Sequence, residues 1–281
     1  MAAAVEGVPY EEIVTKELIG TGFFGSVHKA DWRNREIAVK RIREGCEDKK
    51  IAREIYQLAK ANHVNIVQLY GTSRHEGCTL LLMEYVDGGS LSSLLHAESK
   101  PSYSHGHAFN WAHQIALGLA YLHGMQPKAV IHRDIKPLNT LLCQKGLKLK
   151  ICDFGTVVDL SLSMSCNAGT CRYKSPEVLQ ASQFNEKCDV HSWAITFWEI
   201  LSRKVPFGHY DTLFELYMAI NGDERPDLGD IMAGCPEDTI SILSACWDPD
   251  PNRRFSMELI SQIMGKIVSE AGPIGPLDFY S

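Results

Sequence analysis

The sequence predicts an α+β protein with a small strand-rich N-terminal part, about residues 10–86, and a larger helical part, about residues 87–268. Short β-branched and apolar runs divided by glycine turns fill the first part, whereas apolar residues recurring every three or four positions fill the second. The polar break Asp87-Gly88-Gly89-Ser90 separates the two regimes.

Each element has its own signal. Leu18-Ile19-Gly20 enters a glycine-rich turn, Ser26-Val27-His28-Lys29-Ala30 leaves it, and Glu36-Ile37-Ala38-Val39-Lys40 makes a third strand ending on a lysine. From Glu47 to Ala61, Ile51, Ile55 and Leu58 recur at helical spacing, which sets Glu54 beside their face. Asn65 to Tyr70 and Thr79 to Glu84 read as two further strands. Beyond the break, Phe109, Ala112, Ile115, Ala116, Leu119 and Leu122 mark a helix. Val190 to Leu201, almost continuously apolar, marks a helix buried all round. Leu213 to Ile220, Asp238 to Cys246 and Met257 to Val268 add three more, and residues 269–281 form a short tail in which Ala271-Gly272-Pro273-Ile274-Gly275-Pro276 reads as frayed.

With 45% hydrophobic and 22% charged residues, a chain of 281 can bury one large core or two adjoining small ones, as a globular enzyme does. No run of about 18 apolar residues occurs, so no membrane-spanning helix is expected. The N-terminus has neither a basic start nor an apolar stretch behind it, and a cytoplasmic, reducing setting is expected. Nine cysteines without a Cys-x-x-Cys pair fit that setting as buried small hydrophobes and incidental thiols. A formal charge of −6 with no basic stripe argues against a nucleic-acid partner.

The chemistry is concentrated in a few places. Gly20-Thr21-Gly22-Phe23-Phe24-Gly25-Ser26-Val27 puts glycines where backbone N–H groups can approach phosphate oxygens, although a hairpin turn explains them equally well in isolation. A dinucleotide site is excluded because a strand, not a helix, follows. Lys40 ends the next strand, and a carboxylate such as Glu54 on the following helix would hold its ammonium for phosphate contact. His132-Arg133-Asp134-Ile135-Lys136-Pro137-Leu138-Asn139 is far more specific, because Asp153-Phe154-Gly155 answers it after a strand-like run. A base, a lysine and a metal-ligating amide at fixed offsets, followed by an acidic turn, are what phosphoryl transfer from Mg·ATP needs. Asp134 would orient or accept the substrate hydroxyl's proton, Lys136 would neutralise the transferring group, and Asn139 with Asp153 would hold Mg²⁺. By contrast His105, His107 and His113 lack a supporting carboxylate or cysteine and read as ordinary histidines, and Cys152 reads as packing.

With Ser175-Pro176-Glu177 beyond these motifs, the chain from about Tyr10 to Val268 resembles a eukaryotic protein kinase. The resemblance implies a two-lobed protein kinase fold with ATP in the cleft. It implies adenine between Ile19, Val27, Ala38 and Leu141, Met83 as gatekeeper, and hinge contacts from the backbone of Glu84 and Val86. It also implies a hydrophobic spine through Leu58, Leu69, His132 and Phe154 anchored at Asp189, and a salt bridge between Glu177 and Arg254. Lys136 and Gly169-Thr170 resemble the serine/threonine branch. Cys152, Asn62-His63-Val64-Asn65-Ile66-Val67, Met83-Glu84-Tyr85-Val86-Asp87-Gly88-Gly89-Ser90-Leu91 and Glu186-Lys187-Cys188-Asp189-Val190 resemble the transforming-growth-factor-β-activated type of MAP kinase kinase kinase, in a short form. A protein substrate, a MAP kinase kinase in a stress or immune cascade, is implied, whereas adaptor recruitment through a long tail is not. Arg133 implies activation by phosphate, with Ser165 and Thr170 as candidate acceptors. Val64, Lys174, His191, Ala194 and Phe255 depart from the family pattern without removing a group that touches phosphate or metal, so altered substrate choice or stability is expected. A non-catalytic scaffold is the alternative, against which Lys40, Glu54, Asp134, Asn139 and Asp153 all argue.

Overall fold

Six strands near the N-terminus pair into one sheet: β1 (Glu6–Gly7), β2 (Ile13–Gly22), β3 (Gly25–Trp32), β4 (Arg35–Ile42), β5 (Leu69–His75) and β6 (Cys78–Glu84), in the order β1-β5-β6-β4-β3-β2. The computed structural model describes residues 5–22, 25–42, 55, 59–153 and 168–280. It divides into two units, Met1–Asp87 and Gly88–Ser281, the first a sheet and the second mainly helical, so the chain is α+β.

Two tight hairpins set the register of the first unit. Arg33 and Asn34, both at positive φ, link Trp32 to its partner Arg35, and Glu76-Gly77 likewise link His75 to Cys78. One face of the sheet then buries Ile13, Ala30, Trp32, Ile37, Val39, Leu80 and Leu82. The other face carries Val27 opposite Lys40, Lys40 opposite Leu81, and Ala38 opposite Met83. Strand alternation thus puts Val27, Ala38, Lys40 and Met83 on one side without any of them competing for the core. Gly25 is glycine for a structural reason, since a Cβ there would lie 1.8 Å from the carbonyl oxygen of Arg41.

The strand expected over Asn65 to Tyr70 begins only at Leu69 and runs on to His75. Before it the chain turns, with Ile66 N–H donating to His63 O at 3.0 Å, and Ile66 and Val67 are buried by that turn. An apolar run says that residues are buried, not in which conformation.

In the second unit, the helices are Leu91–Leu95, His105–His123, Ala168–Cys171, Pro176–Leu179, Lys187–Ser202, Leu213–Asn221, Glu237–Cys246 and Met257–Ala271, with one hairpin of β7 (Thr140–Cys143) and β8 (Lys148–Ile151). Fourteen of the sixteen residues of Lys187–Ser202 are buried, as a continuously apolar helix requires. Its Trp193 donates to Ala112 O at 2.9 Å and thereby fixes the His105–His123 helix, whose own Trp111 donates to Gly146 O at 2.6 Å. The terminal stretch is not frayed. Leu277 is buried and donates its N–H to Lys145 O at 2.9 Å, and Gly275 O accepts from His107 Nε2 at 2.9 Å. A single anchoring leucine in a Gly/Pro-rich stretch has no periodicity to announce it.

Candidate active site

Asp189, in the first turn of the Lys187–Ser202 helix, organises the loop that follows the His105–His123 helix. Its carboxylate accepts from His132 N–H at 2.8 Å, Arg133 N–H at 2.7 Å and His123 Nε2 at 2.9 Å. Burial would push this carboxyl up, but the His123 bond and the His132 N–H and ring more than offset it and hold the group below the usual carboxylate range. Two adjacent N–H groups can converge on one carboxylate only if the chain bends sharply, and Arg133 takes a φ of 67°. Its guanidinium stacks 4.7 Å over the Phe184 ring.

The bend delivers Asp134 into a buried, polar cluster. Lys136 Nζ donates to both carboxylate oxygens of Asp134, at 2.9 and 2.8 Å, and to Thr170 Oγ1 at 2.9 Å. Asn139 Nδ2 donates to Asp134 O and Oδ2, each at 2.8 Å. Residues from 36 positions of sequence are thus brought within hydrogen-bond reach by a 3₁₀ turn, Pro137–Asn139, and by the Ala168–Cys171 helix. The arrangement holds a carboxylate between a cation and an amide, charge-assisted on both sides.

Asn139 and Asp153 are set side by side by the β7–β8 hairpin. Thr140 pairs with Ile151, Asn139 O accepts from Cys152 N–H at 2.9 Å, and Asp153 follows at a φ of 62°. Because the Asn139 amide nitrogen faces Asp134, its oxygen is the atom left for a cation, and an amide oxygen with a carboxylate suits a hard ion such as Mg²⁺. His132 Nε2 donates to Cys152 O at 3.1 Å, which explains that cysteine's place as packing and backbone support. Leu141 lies on β7 opposite Ser90, where Gly88 is obligatory because a Cβ would come 2.4 Å from Leu142 O.

In the first unit Ile19, Gly20, Thr21 and Gly22 lie on β2, Gly25, Ser26 and Val27 on β3, Ala38 and Lys40 on β4, and Met83 and Glu84 on β6, with Val86 just beyond. Lys40 is 8% exposed, so it is no surface lysine. Phe23, Phe24, Glu54, Leu58, Phe154 and Ser165 lie outside the described residues.

Downstream of Thr170 the chain is pinned at three points. The Arg172 guanidinium donates to the carbonyls of Pro206, Phe207 and Tyr210. Tyr173 Oη donates to Glu199 Oε2 at 2.5 Å, and His96 Nε2 to Glu199 Oε1 at 2.7 Å. Glu177 and Arg254 form a buried two-armed pair at 2.6 and 2.9 Å. Only the last was anticipated from sequence. A lone carboxylate within the apolar run Val190 to Leu201 was the available signal for Glu199. His105 opens that helix, His107 caps it with Ser104, and burial holds the pKa of His113 below the ordinary histidine value, so His107 and His113 have separate, structural surroundings.

Residues 13–264 match the protein kinase domain model. The chain is 46% identical over 263 residues to mitogen-activated protein kinase kinase kinase 7 of Drosophila melanogaster, covering 94% of this chain and 38% of that protein. It is 44% identical over 261 residues to mitogen-activated protein kinase kinase kinase 7 of Homo sapiens, covering 92% and 42%, and 35% identical over 262 residues to human mitogen-activated protein kinase kinase kinase 10, covering 88% and 27%. It therefore spans less than half the length of these relatives. The chain belongs to the protein kinase family, and its kinase domain is similar to that of mitogen-activated protein kinase kinase kinase 7.

Proposed function

We propose that this chain transfers the γ-phosphate of ATP to serine or threonine of a protein substrate, a MAP kinase kinase, in a cytoplasmic stress or immune cascade. The observation that carries the reading is the Asp134 carboxylate gripped by Lys136 and Asn139, with Lys136 also reaching Thr170. Asp134 is placed to orient the acceptor hydroxyl and take its proton, and Lys136 to follow the charge that moves to the transferring phosphoryl group. Asn139 and Asp153 would hold Mg²⁺, which supplies charge neutralisation between the phosphates when bound. Lys40 is assigned to the α and β phosphates with Glu54 as its partner, and residues 20–26 to the phosphate loop. Ile19, Val27, Ala38 and Leu141 are assigned to adenine, and Met83, Glu84 and Val86 to its edge. The Thr170 hydroxyl already accepts from Lys136, which favours a bridging role for it and leaves Ser165 as the better candidate for an activating phosphate docking on Arg133.

The test is mass spectrometry of the recombinant chain incubated with Mg·ATP and a panel of inactive MAP kinase kinases. Wild type should place phosphate on serine and threonine. Asp134→Asn should lower kcat about 10²-fold or more, roughly 3 kcal/mol, and Lys40→Met should do the same while keeping its circular dichroism. Activity in wild type no higher than in Asp134→Asn would support a scaffold instead, and dominant phosphotyrosine would overturn the residue class.

A further inference from the structure

We infer that the segment after the Met257–Ala271 helix, residues 272–279, is a strap on the β7–β8 hairpin, and that Leu277 is the positioning residue through which it keeps Asn139 and Asp153 in register for Mg²⁺. The inference rests on the assignment of those two residues to the metal and adds what holds them there.

The hairpin carries both residues at its open end. Its strands pair from Thr140 opposite Ile151 to Cys143 opposite Lys148, so residues 144–147 close the other end, roughly 13 Å away. The closing turn is strained. Gln144, Lys145 and Gly146 take φ of 50°, 55° and 84°, three left-handed residues in succession of which one is glycine. Its own backbone closes it with Gly146 N–H on Cys143 O at 3.1 Å and Leu147 N–H on Gln144 O at 3.2 Å.

The carbonyls of residues 145, 146 and 147 are each met from outside the hairpin. Trp111 Nε1 donates to Gly146 O at 2.6 Å, and Asn110 Nδ2 and Gln114 Nε2 donate to Leu147 O at 3.0 Å each, all three from the His105–His123 helix. Lys145 O accepts from Leu277 N–H at 2.9 Å. A two-stranded hairpin is marginal by itself, and a slip of one residue in its pairing turns every side chain to the opposite face. The outside donors therefore set where the hairpin closes, and with it whether Asn139 and Asp153 end side by side.

The strap is itself built in. Gly272, at a φ of 80°, releases the chain from the Met257–Ala271 helix. Ile274 then lies so near the first turn of the His105–His123 helix that a Cβ on Gly106 would come 2.7 Å from its Cγ2, and Gly275 O accepts from His107 Nε2 at 2.9 Å. Leu277 buries its side chain at 4% exposure, whereas Phe279 just beyond it is 47% exposed. The first two attachments are to the helix and the last is to the turn, so the segment bridges the two elements and ends its grip on the hairpin.

The experiment measures, by calorimetry on the full chain, the Kd of a non-hydrolysable ATP analogue with saturating Mg²⁺ and with a chelator. Leu277→Ala, and Leu277→Pro, which also removes the N–H donor, should each lose ~10-fold of the affinity that Mg²⁺ adds, the lower end of what losing the support of a metal ligand costs, with the Kd in chelator unchanged. Leu277→Met, which keeps the volume and the N–H, should restore it. Gly106→Leu, which pushes Ile274 off the helix without touching the hairpin, should act in the same direction and decides the matter if the Leu277 variants do not fold. Ile267→Ala, buried in the body of the Met257–Ala271 helix, should lower the melting temperature and leave the Mg²⁺ gain intact. A Leu277→Ala variant that behaves like Ile267→Ala would reduce the strap to packing and overturn the inference, and so would an equal loss of analogue affinity with and without Mg²⁺. Wild type that binds the analogue equally well in both conditions would overturn the metal assignment beneath it, and the inference with it.

Discussion

His191 sits in the second turn of the Lys187–Ser202 helix with no exposed surface, and neither ring nitrogen closes a hydrogen bond. Burial, and then the guanidinium groups of Arg254 and Arg225, hold its pKa well below the ordinary histidine value, while the neighbouring Tyr173 backbone pulls weakly the other way. The sign of the resulting pH dependence follows. As pH falls through about 6.5 the unfolded chain binds a proton at this position and the folded chain does not, so stability is full above that pH and drains below it. His191→Phe should flatten the fall of melting temperature between about pH 6.5 and 5 and stabilise the fold by about 1–3 kcal/mol, the cost of an unsatisfied buried polar group. Thermal melts at constant ionic strength check this, and an unchanged slope would place the acid lability elsewhere. The substitution itself was visible in the sequence, but a histidine does not announce that it lacks a partner. Asp134, Lys136 and Asn139 were legible for the opposite reason, because short offsets within one loop fix which groups can meet. The Lys136 bond to Thr170, across 34 positions, needed the fold.

Among elements, the stretch from Thr170 to Leu179 is held less by its own short helices than by side chains reaching elsewhere, and the Glu177–Arg254 pair is the strongest of these. Arg254 is 2% exposed and also donates to Asp248 O at 2.7 Å, so removing either partner strands a charge in the interior. Arg254→Ala should cost about 3–5 kcal/mol in equilibrium urea unfolding. Glu177→Leu combined with Arg254→Met should recover much of that loss, because it removes the stranded charge along with the pair. A double variant as unstable as the single one would mean that the carbonyl contacts of Arg254, and not the charge pair, carry the stability. The Lys187–Ser202 helix was legible from its long, almost continuous apolar run, and Leu213–Asn221 from its apolar residues. The Asn65–Gln68 turn and the anchored Leu277 were not, since each depends on one or two buried residues and on distant backbone such as Lys145 O.

At the scale of the whole molecule, the residues assigned to Mg·ATP divide between the two units. Lys40, Ala38, Val27 and Met83 belong to Met1–Asp87, and Asp134, Asn139, Leu141 and Asp153 to Gly88–Ser281. The order of these motifs was legible early because each is local, whereas the division into a sheet unit and a helical unit rests on a change of period at Asp87. A ligand that binds the native chain and not the unfolded one shifts the unfolding equilibrium by mass action. With a non-hydrolysable ATP analogue at 100 times its Kd, the expected stabilisation is about 2.7 kcal/mol. Calorimetry should therefore show a higher Tm with analogue and Mg²⁺ than with analogue and a chelator. Lys40→Met should shrink the shift in both conditions, as expected of the lysine proposed for the phosphates. Asp153→Asn should shrink only the Mg²⁺-dependent part, leaving what the chelated analogue gives. Equal shifts with and without Mg²⁺ in wild type would remove Asn139 and Asp153 as metal ligands, whatever the enzyme's turnover, because the reading is of binding and not of chemistry.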